Sequence, residues 1–227
     1  MDFDGPDPRD YENVAALNAA YLELLRRDEA ICRGLRGCAA PLGQRLCRLT
    51  PQQAARLAAT PFLLFSFREQ DDLYWSRILE EGRVHGLFRS PGPGDADTLI
   101  TAALAFIWQL AKQNPYALRL ICGASLYWCD RLAELNLYEL LDAYRSTGDV
   151  PALRLAEREA LWRHLLDKGV SRRKEAAQAA QLAALQLLLT GNSQVHSGEN
   201  WAIAARNVTS PGLRVAEIRQ ERKSRPG

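Results

Sequence analysis

The sequence predicts a mainly α protein with a duplicated helical core and one short strand near 62–67. Three observations carry this expectation. Apolar residues recur at helical spacing, as in Val14, Leu17, Tyr21, Leu24, Leu25 and Ile31. Two stretches 86 residues apart then share one helix-start signature, the mark of an internal duplication. The first reads Gly37-Cys38-Ala39, then Arg45, Leu46 and Leu49, then Thr50-Pro51-Gln52-Gln53. The second reads Gly123-Ala124-Ser125, then Arg131, Leu132 and Leu135, then Asn136-Leu137-Tyr138-Glu139. Each ends in a capping box, in which Thr or Asn accepts from the N3 amide while Gln or Glu reaches back. The third observation is the apolar, aromatic run from Pro61 to Phe67, the one convincing strand of the first half.

The elements follow in chain order. Residues 1–10 are acidic, carry Pro and Gly, and read as disordered. Tyr11 to Arg36 reads as a single amphipathic helix of roughly six turns. A turn over 34–40 leads to a short helix holding Leu42 and Leu46, and the Thr50-capped helix carries Ala54, Leu57 and Ala58. The strand cannot satisfy its backbone alone, so it is expected to pair with a partner copy or to pack under helices. Leu73, Trp75, Ile78, Leu79 and Val84 mark the next helix. This gives an N-terminal helical domain over 11–90 and a linker over 91–97, signalled by Ser90-Pro91-Gly92-Pro93-Gly94. A second helical unit spans 98–148; its Tyr144–Gly148 stretch is polar, so its strand is expected to be lost. Residues 149–227 read as a C-terminal helix pair, 152–167 and 171–189, with a basic tail. In that tail Trp201–Val208 and Leu213–Ile218, around Ser210-Pro211-Gly212, read as a β-hairpin or as two short helices.

Composition narrows the function classes. A chain of 227 residues with 47% apolar content can bury a sizeable core. A net charge of +2 sets up no global field toward nucleic acid or membrane, so any such surface is local. The start lacks a basic n-region and an apolar h-region. The longest apolar run, Leu99 to Ala111, is too short for a membrane span. Five cysteines without a CxxC argue against a disulfide framework and a zinc ribbon, and Cys32, Cys38 and Cys47 read as small core residues. His85, His164 and His196 are scattered, none at metal spacing, and no Gly-rich phosphate loop is present. The expectation is a cytoplasmic protein without catalytic residues, metal, cofactor or membrane contact.

The segments LNAAYLELLRRDEAICRGL, RLCRLTPQQAARLAATPFLLFSFRE and LYWSRILEEGRVHGLF, between about Leu17 and Arg89, resemble the FlhD family. FlhD is the subunit that joins FlhC in the flagellar master regulator, and distant relatives of this pair occur on conjugative elements. The matching landmarks are Leu49-Thr50, which opens a helix ending in Leu57-Ala58, and a strand that ends in Phe67-Arg68. The resemblance implies a transcriptional regulator, an activator, that binds promoter DNA with an FlhC-like partner as a homodimer or hetero-oligomer. Under it, Phe62, Leu63, Leu64, Phe65, Phe67, Trp75 and Ile78 are expected at the oligomer interface. FlhD-type chains often carry a cysteine in this strand; Phe65 stands there here, so no covalent dimer bond is expected. The alternative is a helical protein–protein adaptor that never touches DNA.

Two basic stretches are the candidate DNA contacts. Leu161–Leu166, Asp167–Ser171 and Arg172-Arg173-Lys174 read as helix, Gly turn and second helix, the order of a helix-turn-helix. Three cations over the first helical positions oppose the helix dipole, a cost more readily understood if a phosphate sits there. Read without a ligand, the same residues form a helical hairpin with a solvated basic tip. The tail adds Arg206, Arg214, Arg219, Arg222 and Lys223, which suit either phosphate contact or plain solubility.

Overall fold

The computed structural model describes residues 5–81 and 94–190. The first helix, α1 (Pro8–Arg27), starts inside the stretch expected to be disordered, because Asp7 and Asp10 close a capping box around Pro8. It stops at Asp28, well short of Arg36. There the backbone turns extended, and the Asp28 carboxylate accepts the Ala30 and Ile31 amides to open α2 (Glu29–Arg33). Helices α3 (Ala40–Cys47) and α4 (Pro51–Ala58) follow, then strand β1 (Phe65–Ser66) and helix α5 (Asp72–Glu81). In the second half α6 (Asp95–Gln113) takes in Asp95 to Asp97, assigned from sequence to the linker. Helices α7 (Pro115–Cys122), α8 (Leu126–Glu134) and α9 (Leu137–Thr147) lead to strand β2 (Ala152–Leu153). Helix α10 (Glu159–His164) runs into a π turn (Leu165–Gly169), and α11 spans 174–190. The chain is mainly α, and among the described residues no helix is long and apolar enough to cross a membrane.

The duplication extends through the element order from α1 to the π turn after α10. Asp28 and Asn114, 86 residues apart, cap α2 and α7. Gly37 and Gly123 both sit in the left-handed region, at φ 72° and 67°, where a side chain would be strained. Both capping boxes form: the Gln53 amide donates to Thr50 and the Glu139 amide to Asn136. Past these caps the offset becomes 87. Arg68 and Leu155 are the two non-glycine residues with positive φ among the described residues, at 63° and 52°. The Trp75 indole donates to the Phe67 carbonyl at 3.1 Å, and Trp162 donates to the equivalent Arg154 carbonyl at 2.9 Å.

The second strand is therefore present, against the expectation that it was lost. Residues 144–147 complete α9, which Gly148 terminates in the left-handed conformation, and β2 lies just beyond. Strands β1 and β2 pair antiparallel, Phe65 with Leu153 and Ser66 with Ala152. The first residue of each strand faces the second residue of the other, which is the self-complementary pairing of a two-fold dimer made within one chain. Helices exchange across the same axis: α1 packs on α6, α5 on α9, and the π turn after α10 on α4. Residues 149–169 thus belong to the second copy and not to a separate C-terminal unit.

This placement corrects the expected oligomer interface. Phe62, Leu63, Leu64, Phe65, Phe67, Trp75 and Ile78 are all buried within the single chain. Phe65 meets Tyr21 (ring centroids 4.9 Å apart), Phe67 meets Tyr144 edge-on (5.0 Å), and Trp75 meets Trp128 (5.7 Å). Phe65 thereby packs on Tyr21 of its own copy, while Phe67 and Trp75 close the seam between the two copies. One polar pair lies in it. The Arg154 guanidinium donates to the Leu63 and Phe65 carbonyls, each at 2.6 Å, to the Cys122 carbonyl, and to Glu69 at 2.7 Å. Both side chains are almost fully buried.

Removing one charge of such a pair strands the other away from water. Glu69→Gln is expected to lower the unfolding free energy by about 3–5 kcal/mol, read by urea denaturation.

Candidate nucleic-acid interface

The exposed cations that sequence reasoning singled out at the C-terminal helix pair lie beside others it did not. Ser171 accepts the Arg173 amide at 3.2 Å, and the Arg173 carbonyl takes the Ala177 amide at 3.1 Å. Arg173 is thus the N-cap of α11, and Lys174 its first helical residue. Arg172 and Arg173 precede the helix instead of filling its first turn, but with Lys174 they still stand at its positive end. All three side chains are exposed. The entry is also not a plain helix-turn-helix: α10 is short, and the π turn carries Leu165 and Leu166 into the core against α4.

That packing brings the second copy's end against α3 and α4 of the first. The Arg56 guanidinium donates to the Val170 carbonyl at 3.1 Å, and Gln181 of α11 donates to the Arg56 carbonyl at 3.3 Å. Arg45 pairs with Asp167 at 2.6 Å; both are about half exposed, so the pair adds little stability. Two shallow grooves result, meeting at Gln53. One, of about 400 Å³, is lined by Pro41, Gln44, Arg45, Arg48 and Leu166. The other, of about 600 Å³, is lined by Thr50, Gln52, Arg56, Val170 and Arg172. Arg45, Arg48, Arg56 and Arg172 therefore rim one continuous basic face, with Arg173 and Lys174 at its edge. Arg206, Arg214, Arg219, Arg222 and Lys223 lie outside the described residues, as does the 201–218 hairpin or helix pair.

Among the described residues no group of three His, Cys, Asp or Glu side chains could hold a metal ion. Cys32 and Cys47 form a disulfide that ties α2 to the end of α3, a pairing that their sequence spacing, read as core packing, did not signal. Burial pushes the Cys122 thiol well above its ordinary pKa and that of Cys129 up to about 12, so neither is a thiolate at neutral pH. Half-buried Cys38 is also raised, by burial first and then by the nearby Glu159 carboxylate. No family model matches the chain, and no curated protein or solved structure matches it significantly.

With these thiols protonated, alkylation of the native protein at about pH 8 is expected to label Cys38 slowly and to spare Cys122 and Cys129. Both buried thiols become reactive after unfolding, a difference that mass spectrometry of the labelled peptides reads directly.

Proposed function

We propose that this chain is a transcriptional regulator, an activator, that binds promoter DNA in the cytoplasm together with an FlhC-like partner. The observation that supports it best is the cluster of Arg45, Arg48, Arg56, Arg172, Arg173 and Lys174 around two adjoining grooves. Guanidinium groups on rigid helices suit phosphate oxygens, because each presents a fixed fork of donors. Such contacts position a protein on the duplex, and base-edge contacts then supply sequence preference. The FlhD-like segments between Leu17 and Arg89 give the regulatory setting and the partner. The two-fold core inside one chain agrees with a family whose subunits act as dimers. A helical adaptor is favoured by a separate observation, the exposure of Tyr127 and Tyr138 on the opposite copy.

The measurement is fluorescence anisotropy on promoter duplex across a salt series, with the chain alone and with a co-encoded CxxC-bearing partner. Replacing Arg172, Arg173 and Lys174 together by Ala is expected to weaken binding at least about tenfold and to reduce the salt slope by about 2–3. If neither mixture binds DNA, the regulator reading fails and the adaptor reading takes its place.

A further inference from the structure

The basic face has a counterpart. Helices α8 and α9 occupy in the second copy the place that α3 and α4 occupy in the first, 86 residues earlier. The framework is kept: Arg45 and Leu49 recur as Arg131 and Leu135. Around it the charge reverses at two matched positions and turns from neutral to acidic at two more. Gln44, Arg48, Gln53 and Arg56 of the first copy stand where the second has Asp130, Glu134, Glu139 and Asp142. All eight side chains are exposed or partly exposed.

The relief inverts as well. Pro41 and Gln52, beside the two basic grooves, correspond to Tyr127 and Tyr138, which stand 58% and 56% exposed. Ala160 of α10 corresponds to Leu73 of α5, 86% exposed. Where the first face has a groove of about 400 Å³, a slot of about 20 Å³ lies between α5 and α8 among the described residues of the second. One backbone therefore presents hollows rimmed mainly by arginine on one side, with Asp167 paired to Arg45, and on the other aromatic knobs among carboxylates, with Arg131 donating to the Tyr127 hydroxyl. A polyanion needs the first face and has no use for the second. Solvation alone would not require opposite signs at matched positions.

We propose that the acidic face of one chain docks on the basic face of a second copy, head to tail. Tyr127 and Tyr138 of one chain seat in the grooves of the next, with Asp130, Glu134, Glu139 and Asp142 against Arg45, Arg48, Arg56 and Arg172. The contact is heterologous, so it repeats into rings or open chains. It is steered by charge and weakens as salt screens it. It does not depend on the nucleic-acid reading; if both hold, DNA and a second copy compete for the same arginines.

Sedimentation velocity on the full chain tests this. At about 20 mM salt the weight-average mass is expected to climb with protein concentration, and at about 500 mM it should fall back toward one chain. Arg48→Glu and Glu134→Arg each spoil one face, and each variant alone should remain a single chain at low salt with an unchanged circular dichroism spectrum. Mixed in equal amounts, the two variants retain one good face of each kind. They should associate again, to a species of at least two chains. A wild-type chain that stays single at every concentration overturns the proposal. Association that either variant leaves intact, or that salt does not weaken, overturns it too.

Discussion

The seam between the two copies is bridged by a strand pair only two residues long, and its register rests on Arg154. A ladder that short has few hydrogen bonds of its own, and the carbonyls of Leu63 and Phe65 beside it lie out of reach of water. Arg154 reaches both with its side chain, while its amide donates to the Leu64 carbonyl at 2.9 Å. It also joins a third segment through Cys122 and carries a counter-charge in Glu69. Burying a guanidinium is costly, and the cost is tolerable here because carbonyls and a carboxylate surround it. Its own carbonyl is taken by Trp162, so the residue fixes the turn into α10 as well.

The position of that arginine shows what fusing two copies permits. Its equivalent in the first copy is Phe67, which packs edge-on against Tyr144. A true two-fold dimer would place identical residues on both sides of the axis. Two arginines there would repel each other, and two phenylalanines would leave the strand carbonyls without donors. A single chain can keep one of each. Glu69 follows the same logic, since its counterpart Ala156 is apolar and equally buried. The charge difference between the α3–α4 and α8–α9 faces is this freedom expressed at the surface.

Local signals in the sequence were legible, and signals made by distant segments were not. Thr50 with Gln53 and Asn136 with Glu139 form as expected because a capping box needs only four consecutive residues. Asp28 broke the first helix without notice, since apolar periodicity continues through Ile31 while the break is a polar side chain bonding its own backbone. Strand β2 is not legible in the sequence for two reasons. The offset slips from 86 to 87 just before it, and Ala152-Leu153-Arg154 lacks the aromatic pattern of Phe65-Ser66-Phe67. Of the basic face, Arg172 to Lys174 stood out as a run of adjacent charges. Arg48 and Arg56 did not, because only the packing of the π turn on α4 brings them alongside. The charge difference between the copies is the signal that marks them, as Arg48 falls opposite Glu134 and Arg56 opposite Asp142.

Tethering the copies also changes what concentration can control. Between separate subunits, strand pairing and helix exchange would depend on subunit concentration. Within one chain they proceed at an effective concentration on the order of millimolar, which does not vary with the protein's own concentration. The apolar seam, with Phe62 to Phe67 and Trp75, is thereby withdrawn from any role in regulated assembly. Under either proposal, any response to concentration or salt falls to the outer faces, where charges remain in contact with water and are screened by it. Those faces are the ones on which the two copies have diverged.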